Sequence, residues 1–351
     1  RVAGGAAALT ATGGLTALVE ACGGATSQPT APTEADLTKL YEAARKEGKV
    51  TWWTAHYEQS AAEVMRDAFK KKYPGIEVTL LRQTAQVLYQ RLQNNLKAGV
   101  HEVDVFASTD EAHYPPLKKQ NALIAFKPPD IDLIPQQFQR MDPDETYHLG
   151  ALGFVVINYQ TQKVTSPPRS WKDFLDPQWS GKITTGHPGF SGYVGNWVLA
   201  MVDKYGDQYL KDLAKLKPKI NRSVNDTVTD IVGGERQVGA GPDNFSLAKK
   251  NAGNPIDITF PTDDAILIAA PVGIMKDAPH PNAGLLFKNF MYSKEYSDAL
   301  VQTFNFPIRG EVKPAGGVAT LDKIKWYRNQ IARLTVGVPE VIDKWRSIMG
   351  V

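Results

Sequence analysis

Cysteine is nearly absent. The single Cys22 among 351 residues leaves no partner for an internal disulfide and excludes a multi-cysteine zinc or iron–sulfur site. An excess of either charge is also missing, because 40 Lys and Arg against 37 Asp and Glu leave a net charge of +3. A nucleic-acid binder draws its affinity from concentrated phosphate neutralisation, so no nucleic-acid partner is expected. The longest basic run, Lys70-Lys71-Lys72, lies on an expected helix near acidic residues and reads as a solvated face.

Catalytic signatures are lacking as well. His101-Glu102 has no second histidine at helical spacing, Gly189-Phe190-Ser191-Gly192 lacks the GxSxG frame, and neither GxGxxG after a strand nor GxxxxGK[ST] occurs. The six histidines (His56, His101, His113, His148, His187 and His280) are scattered. No metal site, no cofactor and no enzymatic activity are expected, with a secreted α/β enzyme kept as the competing reading from another class.

What is present is a chain too long for one core. Single hydrophobic cores stop growing near ~250–300 residues, so two lobes are expected. Hydrophobic residues at 42% and charged residues at 22% suit a globular protein and exclude wholesale disorder.

The front end stands apart. From Val2 to Val19 no residue is charged and the run is rich in Gly and Ala. It falls short of the ~20 strongly apolar residues that a spanning helix needs. A positive start, an apolar middle and small residues at the end follow the plan of a secretory signal, whose own beginning is expected upstream of Arg1. Val19-Glu20-Ala21-Cys22 resembles a bacterial lipobox, in which the cysteine is lipidated. Glu20 departs from the small or uncharged residue usual there, and a plain secretory signal with an incidental cysteine stays open. Both readings take the protein out of the cytoplasm. Residues 1–22 are thus assigned to the leader and 23–34 to a flexible tether rich in Gly, Ser, Thr and Pro.

From Ala35 onward, helical and strand patterns alternate. Leu37, Leu40, Tyr41 and Ala44 recur at helical spacing up to Gly48, and Val50 to Thr54 is a β-branched and aromatic strand. Ser60 is the expected N-cap of the next helix, which Pro74-Gly75 ends. Ile76–Leu81 and Val103–Ala107 are strands around a helix that closes at Gly99. A second set follows, with strands at 153–158, 238–240, 256–260 and 266–272, helices at 193–205, 224–232 and 282–292, and a helical tail from Leu321 broken at Pro339. Such alternation argues a mostly parallel α/β sheet.

The segments GKVTWWTAHYEQSAAEVMRDAFKKKYPGIEVTL, VDVFAST, GFVVINYQ, SWKDFLDPQWSGKI, DIVGGERQVGAG, DITFPTDDAILIAAPVGIMKDAPHPNAGLLFKNFMYSKE and FNFPIRGEV occur in that order between about Gly48 and Val312. Together they resemble the extracellular solute-binding proteins of bacterial ABC importers. The nearest branch is the one that binds ferric ions, phosphonates and sugar phosphates. The resemblance implies the type II periplasmic-binding-protein fold, two α/β lobes hinged around a ligand cleft. Residues 35–150 with 260–310 are assigned to the N-terminal lobe and 151–259 with 311–351 to the C-terminal lobe. It also implies a small-molecule ligand and the membrane subunits of an ABC importer as partners; a monomer is expected, in contact with the membrane only through the lipid anchor of the lipobox reading.

Ligands of open α/β sheets bind outside the carboxyl ends of strands. His56 and Tyr57 after the first strand, Arg82 and Thr84 after the second, and Ser108 and Thr109 after the third are therefore candidates. Arg82 can hold a carboxylate or phosphate bidentately. In the second lobe Ser191, Gly192 and Tyr193 open a helix whose free N–H groups can hold an oxyanion, with an ordinary N-cap as the other reading. Asn225 has a similar place before the next helix, and Asp264 can meet an amine or hydroxyl or cap a turn. Where ferric-binding proteins carry two adjacent tyrosines, this chain has Asn244 and Phe245. Ferric iron wants anionic oxygen, which Phe cannot supply. A small organic anion, phosphorylated or carboxylated, is therefore the expected ligand, with ferric iron as the alternative.

Overall fold

The computed structural model describes residues 34–316 and 318–351. The expected leader, Cys22 and the tether up to residue 33 lie outside the described residues.

Helix α1 (Glu34–Glu47) leads into β1 (Lys49–Thr54), and alternation continues through α2 (Gln59–Lys72), β2 (Glu77–Arg82), α3 (Ala85–Ala98) and β3 (Val105–Ala107). A short α4 (Tyr114–Lys119) precedes the long strand β4 (Tyr147–Gln160). The second alternation comprises β5 (Ile183–Gly186), α5 (Gly192–Tyr205), α6 (Gln208–Lys215), β6 (Lys219–Asn221), α7 (Asp226–Val232), β7 (Val238–Pro242), α8 (Asp243–Asn251) and β8 (Ile256–Thr259). Then come β9 (Ala265–Ile274), α9 (Pro281–Phe290), α10 (Lys294–Gln302), β10 (Trp326–Tyr327) and α11 (Ile331–Met349).

The strands run β2-β1-β3-β9-β4-β7-β5-β6 across one sheet, with β10 added to β9 and β8 to β4. Strands β1, β2 and β3 pair in parallel, as do β5, β6 and β7. The sheet is mixed, because β9 and β4 join these two parallel halves by antiparallel pairing, while the short β10 adds to β9 in parallel. Both joining strands are buried almost throughout and serve two cores. Leu267, Ala269 and Val272 of β9 belong to a core with Trp52, Phe69, Phe154, Phe287 and Phe290. Ile266 and Ile268, facing the other way, belong to a core with Trp171, Trp197, Leu199 and Trp345. The period-2 alternation of a strand lets one segment feed both.

Two expectations need correction. Helix α2 is capped at Glu58 rather than Ser60. Pro339 does not break the tail, and α11 runs through it. Proline in a helix interior removes one hydrogen bond and normally kinks or ends the helix. Here Pro339 lies on the solvent side, while Leu334, Val338, Val341 and Trp345 bury the opposite face in the second core. Residues Val318, Leu321 and Trp326, just before α11, pack against the first core instead.

Candidate functional site

The loops after β1, β2 and β3 converge on the starts of α5 and α7. In the β1 loop, successive side chains part company. His56 turns toward the second half, only 5% exposed, and its Nδ1 meets Tyr193 Oη at 3.2 Å. Burial pushes its imidazole down to about 3, so it is neutral at physiological pH. Tyr57 turns the opposite way, into the first core against Trp52. Its hydroxyl donates to Gly150 O at 3.3 Å, where Tyr296 also donates, and this carbonyl sits at the irregularity between Leu149 and Ala151 of β4. Tyr57 thus braces a crossing strand.

At the end of β2, Arg82 Nε donates to Tyr57 O at 2.7 Å, and its Nη2 lies 3.7 Å from Glu58 Oε1. Thr84 caps α3 by position, but its side chain makes no capping bond. After β3, Ser108 Oγ is engaged locally with His113 Nδ1 at 2.8 Å and with the Asp110 N–H at 3.1 Å. Thr109 reaches across to Gly192. A Cβ built on Gly192 would stand 2.6 Å from Thr109 Oγ1 and 2.7 Å from its backbone C and O. Only glycine permits so close an approach of the two backbones.

From the second half, Ser191 is the N-cap of α5 and also makes no side-chain capping bond. Asn225 Nδ2 donates to Glu58 Oε1, a bridge between the halves. Behind this group, Gly153 of β4 lies under the His56–Tyr193 contact, and a Cβ there would stand 2.2 Å from Tyr193 Oη. Asp243, fully buried, accepts Phe154 N–H at 2.8 Å, and burial pushes its carboxyl up to about 7.

His56, Arg82, Thr84, Thr109, Ser191, Tyr193 and Asn225 line one cavity, together with Ala85, Ser223 and Val224. Its volume is about 10 Å³, room for about one water. Its walls combine one guanidinium, several hydroxyls, and the N-termini of two 14-residue helices, α3 and α5, from opposite halves of the sheet. First-turn N–H groups lack intrahelical acceptors, and the helix dipole favours negative charge there.

The other five expected residues do not line this cavity; Gly192 is packed against Thr109 beside it. Tyr57 and Ser108 are turned inward as described. Asn244 sits in the first turn of α8, where its Nδ2 donates to Asn305 Oδ1 at 2.6 Å in a neighbouring pocket. Asp264 stands at the opposite end of β9, with backbone φ of +85°. Burial alone would raise its carboxyl, but Lys204 at 2.7 Å and Lys325 hold it below its ordinary value. Glu58, Asn305, Asp243 and Gly153 were not singled out from the sequence. Glu58 follows the same strand-end loop as His56, and that position was the available signal. Among the described residues, no cluster of His, Cys, Asp and Glu side chains is arranged to hold a metal ion.

Residues 102–333 match the family described as bacterial extracellular solute-binding protein. A putative 2-aminoethylphosphonate-binding periplasmic protein of Salmonella typhimurium is 22% identical over 306 residues, 82% of this chain and 87% of that protein. The solved periplasmic binding protein AfuA from Actinobacillus pleuropneumoniae, with fructose-6-phosphate bound, matches with a TM-score of 0.78 at 19% identity, over 87% of this chain and 99% of that one. Iron-bound HitA from Pseudomonas aeruginosa matches with a TM-score of 0.73 at 18% identity, over 86% and 99%. The two solved structures establish the mixed α/β fold of periplasmic binding proteins, two lobes around a cleft. With a family match over most of its length, the chain belongs to the bacterial extracellular solute-binding proteins.

Proposed function

We propose that the protein captures a small organic anion, phosphorylated or carboxylated, between its lobes and delivers it to the membrane subunits of an ABC importer. In this reading it works as a monomer outside the cytoplasm, tethered by lipid at Cys22. The observation that carries the ligand class is the cavity lined by Arg82, Thr84, Thr109 and Ser191 between the N-termini of α3 and α5. A charge-assisted hydrogen bond contributes about 1.5–3 kcal/mol, so three of them approach the ~8 kcal/mol of a micromolar site. The Salmonella relative named for a phosphonate and the relative bound to a sugar phosphate support the same class.

Ferric iron fits the side chains less well. Asn244 and Phe245 offer no phenolate, and the Tyr57 hydroxyl is held in the first core. Titration calorimetry with phosphates, phosphonates and carboxylates, run beside ferric citrate, tests the choice. Micromolar heats from an anion are expected. A ferric–phenolate absorption band with no anion binding would overturn the reading in favour of iron.

A further inference from the structure

A second compartment lies beside the cavity. Its volume is about 280 Å³, and its apolar lining comes from Ala61 and Val64 of α2, Phe245 and Ala248 of α8, and Phe304 after α10. Elements of both halves form it, since α2 packs on the first core and α8 on strands β4 and β8. The two spaces share a wall: Asn225 lines the small cavity, Glu58 lines the larger compartment, and their side chains are hydrogen-bonded to each other. His56 of the small cavity and Asn305 of the larger compartment are hydrogen-bonded as well, so side chains from both spaces meet at this wall.

The larger compartment has the character of a ligand pocket, an apolar lining with a few placed polar groups. Phe304 holds φ at +60° as the left-handed residue that ends α10, where its N–H donates to Val301 O at 3.1 Å and the Asn305 N–H to Leu300 O at 2.9 Å, and this cap fixes the ring at the compartment wall. The Asn244–Asn305 amide pair supplies a polar edge, and Lys249 covers one face of Phe245 at 5.2 Å from the ring centroid. A cavity near 150 Å³ accepts benzene, so this one has room for a ring carrying a short chain.

We infer that the ligand is an anion with a flat, mainly apolar ring, its charged head between α3 and α5 and its ring past the Glu58–Asn225 bridge beside Phe245 and Phe304. This rests on the anion reading above and adds the second part of the molecule. Matched pairs in titration calorimetry isolate the ring: methyl phosphate against benzyl phosphate, and acetate against phenylacetate. In whichever pair binds, the ring-bearing member is expected to bind at least tenfold more tightly, as burial of an aromatic ring requires. Ala248→Phe, which fills the compartment, and Phe245→Ala, which removes its aromatic wall, should each cut that ratio to threefold or less. Two variants keep the test usable if one fails to melt like the parent. A ratio near one in the parent, or a ratio that survives both substitutions, overturns the ring compartment and leaves the anion reading standing. If no member of either pair binds, the ring compartment falls, and the anion reading is decided separately by the phosphate, phosphonate and carboxylate panel above.

Discussion

Gly192→Ala should hold the lobes apart. The added Cβ would meet the backbone C and O of Thr109 at 2.7 Å, whereas ordinary contact begins at 3.4 Å, so the lobes must separate by about 0.7 Å at this point. Overpacking of this kind costs about 1–3 kcal/mol. With the lobes closing around the ligand as proposed, the cost falls on the form in which these backbones meet, and at ~1.4 kcal/mol per decade it should weaken ligand binding by roughly 5- to 150-fold. Within α5 alone the change is favourable, because alanine exceeds glycine in helix propensity by up to about 1 kcal/mol. Affinity and thermal stability should therefore move in opposite directions. Titration calorimetry with the tightest anion of the panel gives the first quantity, and a thermal melt of the free protein gives the second. Solution scattering with saturating ligand should show less compaction than in the parent. Thr109→Ala should not rescue the variant, since it removes the 2.6 Å contact with Oγ1 and leaves both backbone contacts. Full affinity and full compaction in Gly192→Ala would refute the reasoning.

Other expectations are briefer. Arg82→Ala should weaken anion binding tenfold or more, whereas Tyr57→Phe should change affinity less than twofold and cost about 1 kcal/mol of stability through its lost hydrogen bond, both read by calorimetry and urea titration. Lys288 is fully buried, its Nζ has no hydrogen-bond partner, and burial pushes its amine from 10.5 down to about 7 despite the attraction of Glu145 and Asp142. Folding then favours the neutral amine, so its destabilising contribution is complete below pH 7 and disappears as pH rises toward 10.5; Lys288→Met should abolish that slope and raise neutral-pH stability by roughly 2–4 kcal/mol. Asp243 has the opposite sign: its carboxyl is raised from 3.8 to about 7, so its contribution is lost as pH rises between those values, and Asp243→Asn should flatten the stability curve there in denaturant titrations.

Much of the fold was legible because local signals agreed with it. The Gly99 stop works through a left-handed C-cap that glycine adopts freely, and the end of α3 lies just before it. The crossing strand β4 was harder to read. Its near-continuous burial erases the polar alternation that marks a half-exposed strand, so only 153–158 of its 14 residues stood out. The Pro339 break failed for a related reason. Local propensity argues for an end, but the packing of Leu334, Val338, Val341 and Trp345 on one side decides the outcome.

The site was legible to the level of the loop and not of the side chain. The carboxyl-end rule selected the segments that meet at the cavity, because chain direction in a parallel sheet sends every strand-to-helix loop to the same edge. It cannot separate His56 from Tyr57, since adjacent residues leaving a strand point to opposite sides, and here one reaches the cleft and the other the first core. Nor can it find contacts between distant positions. Glu58 and Asn225 stand 167 residues apart, and nothing in either neighbourhood announces the other. Their bridge exists because α2 and α7 begin on facing walls of one cleft. A carboxylate held between Asn225 and Arg82 carries the charge and hydrogen-bonding capacity that an anionic ligand would bring to the same donors. An anion taking these donors would have to displace Glu58, so Glu58→Gln should raise anion affinity several-fold by removing a competing charge, as calorimetry can measure. An unchanged or lowered affinity would mean that Glu58 positions Arg82 rather than competing for it.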